Sequence, residues 1–292
     1  MFSESVLKGK RILVTGGGSG LGKEITRGLL ACGAEVYICG RREGRLQETV
    51  AELQPEGKQR LFYRTVDIRD PEAIDAMMSS IWDEGPLTGL INNAAANFIS
   101  PSKDLTPRGY QAIRSTVMDG AFYMTLAVGQ RWIEQGIKGS IVSNLVTWVW
   151  TGSAYVLPSA MAKTAVDAMT KSLAVEWGRY GIRLNAVAPG PFPTEGAWEK
   201  LNPTGKSSGA TDCEDVPLGR YGEVQELANL MTFLQADGCD YITGQTIGID
   251  GAHHLAGPNT FASLKSMTDE DWKSAREAIK SSAQQEKKER SV

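Results

Sequence analysis

The segment RILVTGGGSGLGKEITRGLL, Arg11–Leu30, decides the fold. Arg11–Thr15 is a short apolar run that ends in a glycine cluster, TGGGSGLG at Thr15–Gly22. Beyond it, Leu21, Ile25, Leu29 and Leu30 recur on one face of a helix. Strand, glycine-rich loop and helix in that order form a receptor for a dinucleotide. The backbone has to turn tightly and let a pyrophosphate approach with no Cβ in the way. The helix start adds free N–H groups and the positive end of its dipole. Thr15, Gly16, Gly18, Ser19, Gly20, Leu21 and Gly22 are therefore the expected phosphate-side residues. Glycine-rich turns are common, and it is the strand before and the helix after that give this one weight.

Outward from that loop the chain alternates strand and helix. EVYICG (Glu35–Gly40) precedes a charged helix from Arg42 to Leu53. LFYRTVDI (Leu61–Ile68) reads as the next strand and Pro71–Trp82 as the next helix, and GLINNAAA (Gly89–Ala96) contains a fourth strand. Leu105–Gln135 is a long helical region, SIVSNLV (Ser140–Val146) a strand, Ser159–Tyr180 a helix, and IRLNAVAP (Ile182–Pro189) a strand. Glu223–Ala236 and QTIGID (Gln245–Asp250) supply a last helix and strand. Buried apolar strands separated by amphipathic helices imply an α/β fold, a Rossmann-like doubly wound parallel sheet in a single domain. That domain is expected over residues 1–255, with a Pro/Gly/Ser/Thr-rich lid at about 191–215. Residues 256–292 form a C-terminal extension with a charged helix from Thr268.

The end of the second strand chooses the cofactor. An acidic residue there would accept from a ribose 2′-hydroxyl and repel a 2′-phosphate. The sequence instead reads Cys39-Gly40-Arg41-Arg42, with no carboxylate before Glu43. A guanidinium at this place can grip a phosphate with two parallel hydrogen bonds. NADP(H) is the expected cofactor, with Arg41 as first choice and Arg42 as second. A solvated helix start is the plain alternative for both arginines. Asp67 and Ile68, at the end of the third strand, would flank the adenine, although Asp67 equally suits a strand-end cap.

Bulk composition excludes other classes. Of 292 residues, 41% are hydrophobic and 22% charged, and the net charge of −3 gives no cationic surface for nucleic acid or an anionic membrane. The apolar runs are strand-sized, too short to span a bilayer. MFSESVLKGK has no apolar stretch behind a basic start, so no secretory signal is expected and the cytoplasm is the default location. Cys32, Cys39, Cys213 and Cys239 form no close pairs and suit reduced thiols. His253 and His254 have no thiol beside them, so no metal site is expected.

Several motifs coincide in order: TGGGSGLG at Thr15, VDIRD at Val66, NNAA at Asn92, AMAK ending at Lys163, and NAVAPGPFPT at Asn185–Thr194. Together they resemble the short-chain dehydrogenase/reductase family over about residues 8–252. The resemblance implies that Lys163 binds the nicotinamide ribose hydroxyls. It also implies that Pro189, Gly190 and Thr194 hold the carboxamide end, and that Asn92, Asn93 and Ala94 lie beside the ribose. A closer likeness, to the 2,4-dienoyl-CoA reductases, runs through NNAAANFISP, PSAMAKTAVDAMTKSLAVEWGRYGIR, APGPFPTEGAW, LNPTG and MTDEDW. In that subgroup a serine replaces the usual tyrosine four residues before the lysine, as Ser159 does here. The likeness implies reduction of an acyl-CoA thioester with conjugated double bonds, Asn97 and Phe98 near the acyl group, and a homotetramer.

The catalytic positions depart from both patterns. The family set of Asn, Ser, Tyr and Lys falls here on Asp119, Val146, Ser159 and Lys163. A serine hydroxyl is a far weaker acid than a phenol. A tyrosine that the mitochondrial dienoyl-CoA reductases place earlier falls on Trp148, whose indole can donate a hydrogen bond but deliver no proton. Asp119, if protonated, would stabilise a dienolate oxygen by donation; if ionised, it would pair with Lys163 or position a water. Tyr155 is the nearest phenol and a candidate acid. Each has a plainer reading: Ser159 as a helix N-cap, Phe98 as core, Trp148 as wall. Three functions stay open: reduction of a dienoyl thioester, reduction of another activated alkene or carbonyl, and a non-catalytic NADP(H)-binding role.

Overall fold

The computed structural model of the chain describes residues 2–54, 57, 59–194, 213–257, 267–275 and 277. Seven strands form one parallel sheet: β1 (Arg11–Thr15), β2 (Glu35–Gly40), β3 (Leu61–Thr65), β4 (Gly89–Asn92), β5 (Gly139–Asn144), β6 (Ile182–Pro189) and β7 (Thr246–Ile249). Their spatial order is β3-β2-β1-β4-β5-β6-β7. The order reverses between β1 and β4, and in such sheets ligands bind beyond the strand ends at that reversal.

Alternation along the strands divides the core into two layers. Ile12, Val14, Val36, Ile38, Ile91 and Val142 face one side, where they meet Ile25 and Leu29 of α1 (Gly20–Ala31). Leu13, Tyr37, Leu90, Ile141 and Leu184 face the other, against Ile74, Met78, Met124 and Trp132. The helices of that second layer are α3 (Pro71–Glu84) and α5 (Gly120–Gln135). Burial on both faces is why these strands read as continuous apolar runs.

Where element ends differ from expectation, local chemistry gives the reason. β3 stops at Thr65 rather than Ile68, because Asp70 caps α3 by accepting from the N–H groups of Glu72 and Ala73, and the chain turns at Asp67 to reach it. The long helical region is α4 (Pro107–Arg114), a π-turn at Ser115–Asp119, and α5. β5 ends at Asn144, and Trp148–Thr151 forms the one-turn helix α6. α7 runs Leu157–Trp177 with Pro158 in its first turn and Val156 at the N-cap, so Ser159 is inside the helix and is not its cap. The last core helix, α8, spans Val224–Gln235.

The chain divides into two compact units, Met1–His254 and Leu255–Val292. In the second, residues 269–275 are helical, and Thr268 and Asp271 cap each other at the start of that turn. Most of the expected lid, residues 195–212, lies outside the described residues, as does the tail beyond 277.

Candidate active site

A cavity of about 860 Å³ opens over the C-terminal strand ends at the sheet reversal. One side of it is the loop between β1 and α1. Gly16, Gly18, Ser19, Gly20, Leu21 and Gly22 all line it. Ser19 occupies the N-cap of α1 yet makes no side-chain cap, and the first turn carries no acid. The opening N–H groups of α1 are thus left to an external anion. A Cβ on Gly22 would sit 2.3 Å from the Gly16 carbonyl and 2.5 Å from Asn93 Nδ2, so only glycine fits there. Gly16 has φ of +67°, a left-handed conformation that glycine adopts without strain. Thr15 is buried and does not line the cavity; it organises the loop from beneath. Its Oγ1 accepts from the N–H groups of Asn93 and Ala94, each at 2.9 Å.

At the end of β2 the wall carries Arg41, Arg42 and Arg45, followed by Asp67 and Ile68 beyond β3. Asp67 is the one carboxylate among the described lining residues, and it is already engaged. Arg69 binds it bidentately at 2.5–3.0 Å, and with Arg41 nearby holds its carboxyl below the usual range. The field at this end is therefore cationic. Cys39 also lines the cavity, but burial pushes its thiol up to about 12, which leaves it inert.

The opposite end is built by β4, β5, α6 and α7. Asn93 and Ala94 line it, as do Lys163, Trp148, Tyr155, Pro189, Gly190 and Thr194. Lys163 is buried, and desolvation lowers its ammonium to about 8. Its Nζ donates to the Asn144 carbonyl at the end of β5. Tyr155 has φ of +64°, rare for a bulky residue. Its carbonyl accepts from Ser100 N–H at 2.9 Å, and its ring is 59% exposed at the cavity edge. Trp148 forms wall, and Val146 and Thr147 lie beside it.

Four expected residues are placed elsewhere. Asp119, on the π-turn, is ion-paired with Arg114 at 3.1 Å rather than with Lys163 and does not line the cavity. Ser159 is buried in the first turn of α7 and is likewise absent from the cavity wall. Phe98 packs with Ile113, Val117 and Ala162. Asn97 turns its Oδ1 onto the Phe98 N–H at 2.9 Å. Ile99, next along the chain, lines the cavity in their place.

A family model described as enoyl-(acyl carrier protein) reductase matches residues 16–254. A probable 2,4-dienoyl-CoA reductase of Bacillus subtilis is 41% identical over 84% of this chain and 97% of its own. The chain belongs to the short-chain dehydrogenase/reductase family of oxidoreductases. A second relative, the probable 2,4-dienoyl-CoA reductase decr-1.2 of Caenorhabditis elegans, is 35% identical over 98% of this chain and 94% of its own. Among solved structures, a gluconate 5-dehydrogenase from Burkholderia cenocepacia in complex with NADP and tartrate superposes with a TM-score of 0.79. It is 29% identical, over 86% of this chain and 98% of its own.

Arg45, Asn144 and His253 are among the polar lining residues that sequence reasoning missed. Arg45 lies in the first turn of the helix Glu43–Leu53 that follows Arg41 and Arg42, and a third arginine so close to them was open to inspection. Asn144 is a polar residue closing an apolar strand, also a readable signal. His253 gave none: it enters the cavity wall through the turn after β7, where Gly251 and Ala252 both have positive φ, 61° and 67°.

Proposed function

We propose that this oxidoreductase uses NADPH to reduce 2,4-dienoyl-CoA thioesters. The observation that carries the reading is one continuous cavity. It joins an arginine-rich wall at the end of β2, through an uncapped helix start, to the buried Lys163. That sequence of subsites fits an NADP(H) molecule laid across the strand ends. The orphaned N–H groups of α1 and the glycine cradle at Gly16 and Gly22 suit the pyrophosphate. Arg41 and Arg42, with Arg45 behind them, suit the 2′-phosphate. Lys163 suits the nicotinamide ribose hydroxyls, and Pro189, Gly190 and Thr194 the carboxamide. When bound, the cofactor supplies a hydride.

The substrate class follows from what the nicotinamide end offers. Ser159, and not a phenol, stands four residues before Lys163, the place from which the family's tyrosine would protonate an alkoxide at once. Hydride addition to the δ carbon of a conjugated dienoyl thioester gives a delocalised dienolate, which outlasts an alkoxide and can wait for its proton. Tyr155 and His253 bear protons in that half of the wall. We assign proton delivery to the phenol of Tyr155, which lines the cavity as Trp148 does. Two relatives bearing the 2,4-dienoyl-CoA reductase name, each over most of its length, support the class. A homotetramer in the cytoplasm belongs to the same reading; Phe122 on α5 and Met161 and Val175 on α7 leave apolar surface exposed for such an assembly. The test is steady-state turnover of 2,4-hexadienoyl-CoA with NADPH and with NADH. Dienoyl-dependent oxidation of NADPH, and much slower oxidation of NADH, is expected. Tight NADPH binding with no dienoyl turnover would reject the substrate and keep the cofactor.

A further inference from the structure

The two ends of the cavity are tied together by a chain of hydrogen bonds that passes through Asn144. At one end, Lys163 Nζ donates to the Asn144 main-chain carbonyl. The side chain of the same residue turns the other way, and Asn144 Nδ2 donates to Asn93 Oδ1 at 2.9 Å. Asn93 Nδ2 then donates to the Thr15 carbonyl at 3.0 Å, with the Gly16 carbonyl at 3.5 Å. Its backbone N–H is held by Thr15 Oγ1. The amide of Asn93 thus sits inside the glycine loop, where it occupies the space a Cβ on Gly22 would need. Asn144, Asn93 and Lys163 all line the cavity, and they come from β5, the end of β4 and α7.

Asn144 is held at a cost. Asn144 is 6% exposed, and its Oδ1 is a buried acceptor with no hydrogen-bond partner among the described residues. A buried unpaired acceptor destabilises the fold, and an apolar side chain of similar size would avoid that. The amide therefore does something that packing does not require: it fixes Asn93.

We propose that Asn144 is a positioning residue. It couples the placement of Lys163, at the nicotinamide end, to the shape of the pyrophosphate loop, so that a dinucleotide meets both ends in register. This rests on the reading of the cavity as an NADP(H) site. The coupling acts through other residues: the backbone of Asn144 orients Lys163, and its side chain orients Asn93. Loss of the side-chain amide leaves Asn93 free to swing within the glycine loop. A ligand that spans both ends suffers, whereas one confined to the arginine wall does not.

The test compares two ligands on Asn144→Leu and Asn144→Ala, with no turnover involved. NADPH affinity is read from the change in its fluorescence on binding, and 2′-AMP affinity by calorimetry; the latter carries the 2′-phosphate but neither the pyrophosphate nor the nicotinamide half. Asn144→Leu is expected to weaken NADPH binding about 10-fold and leave 2′-AMP binding unchanged. Its melting temperature should stay level, because the orphaned Asn144 Oδ1 is gone while Asn93 Oδ1 loses its donor. Asn144→Ala should show the same split between the ligands. In the double variant with Asn93→Ala, the two losses should not add. Unchanged NADPH affinity in both variants would overturn the proposal, and so would equal weakening of both ligands with a lowered melting temperature, which is the signature of a merely structural role. A wild-type protein that binds no NADPH would instead reject the cofactor reading itself.

Discussion

Replacing Lys163 with methionine should stabilise the cofactor-free protein at neutral pH and remove its hold on a dinucleotide. Burial lowers the Lys163 ammonium from 10.5 to about 8. The folded state therefore releases this proton at lower pH than the unfolded chain does. Between about pH 8 and 10.5 the unfolded chain binds more protons, so stability rises with pH across that window. Below pH 8 both states are protonated, and the folded state bears the full penalty of a desolvated charge, roughly 3 kcal/mol for a shift of this size. Methionine has similar length and no charge. It removes the penalty but leaves the Asn144 carbonyl without its donor, which costs about 1 kcal/mol. The net gain is about 2 kcal/mol at pH 7, or roughly 4–8 °C in melting temperature for a domain of this size. At pH 10 the penalty in the wild type falls below about 1 kcal/mol, so the advantage should vanish there. Thermal unfolding of both proteins without cofactor, at pH 7 and pH 10, reads this directly. A fall in melting temperature at pH 7, or a gain that persists undiminished at pH 10, would refute the reasoning that Lys163 is a charge held at the expense of stability.

Other expected outcomes follow from the cavity wall. Arg41→Ala should weaken NADPH binding roughly 10- to 100-fold and leave NADH binding unchanged, as measured by fluorescence titration; equal loss for both would move the 2′-phosphate elsewhere. Gly22→Ala should abolish binding of either dinucleotide, because its Cβ would fall 2.3 Å from the Gly16 carbonyl. Retained affinity in that variant would mean the loop opens without cost. Tyr155→Phe should lower kcat on a dienoyl-CoA about 100-fold with NADPH affinity unchanged, and an unaltered kcat would pass proton delivery to His253 or to water.

Much of the fold was readable because both faces of the sheet are buried. Arg11–Thr15 then carries a continuous apolar run, Ile182–Pro189 is buried at every position although it includes Arg183 and Asn185, and the glycine loop marks where the first crossover begins. The glycine-loop side of the cavity was readable for a related reason. A backbone that approaches an anion closely needs glycine, and glycine is visible in sequence. The end of the cavity at Lys163 was less so. Asp119 lies near Lys163 in family pattern, but the π-turn at Ser115–Asp119 is a local feature of hydrogen bonding, and it hands the carboxylate to Arg114. Ser159 looks like a cap by type, yet Pro158 inside the first turn moves the helix start back to Leu157. Asn97 and Phe98 follow the NNAA motif closely, but the chain turns so that Ile99 reaches the cavity and Phe98 joins a small core cluster. His253 depends on two successive left-handed residues, one of which is an alanine with no sequence mark of that conformation.

The most direct test of the account follows a labelled hydride. NADPH carrying deuterium at the transferable position is mixed with the protein and 2,4-hexadienoyl-CoA, and the product is examined by mass spectrometry and NMR. The account predicts one deuterium at the δ carbon of a singly unsaturated enoyl-CoA, with a second, solvent-derived hydrogen at the α or γ carbon. An unreduced dienoyl-CoA beside bound, unoxidised NADPH would contradict it, as would a product labelled at the thioester carbonyl carbon.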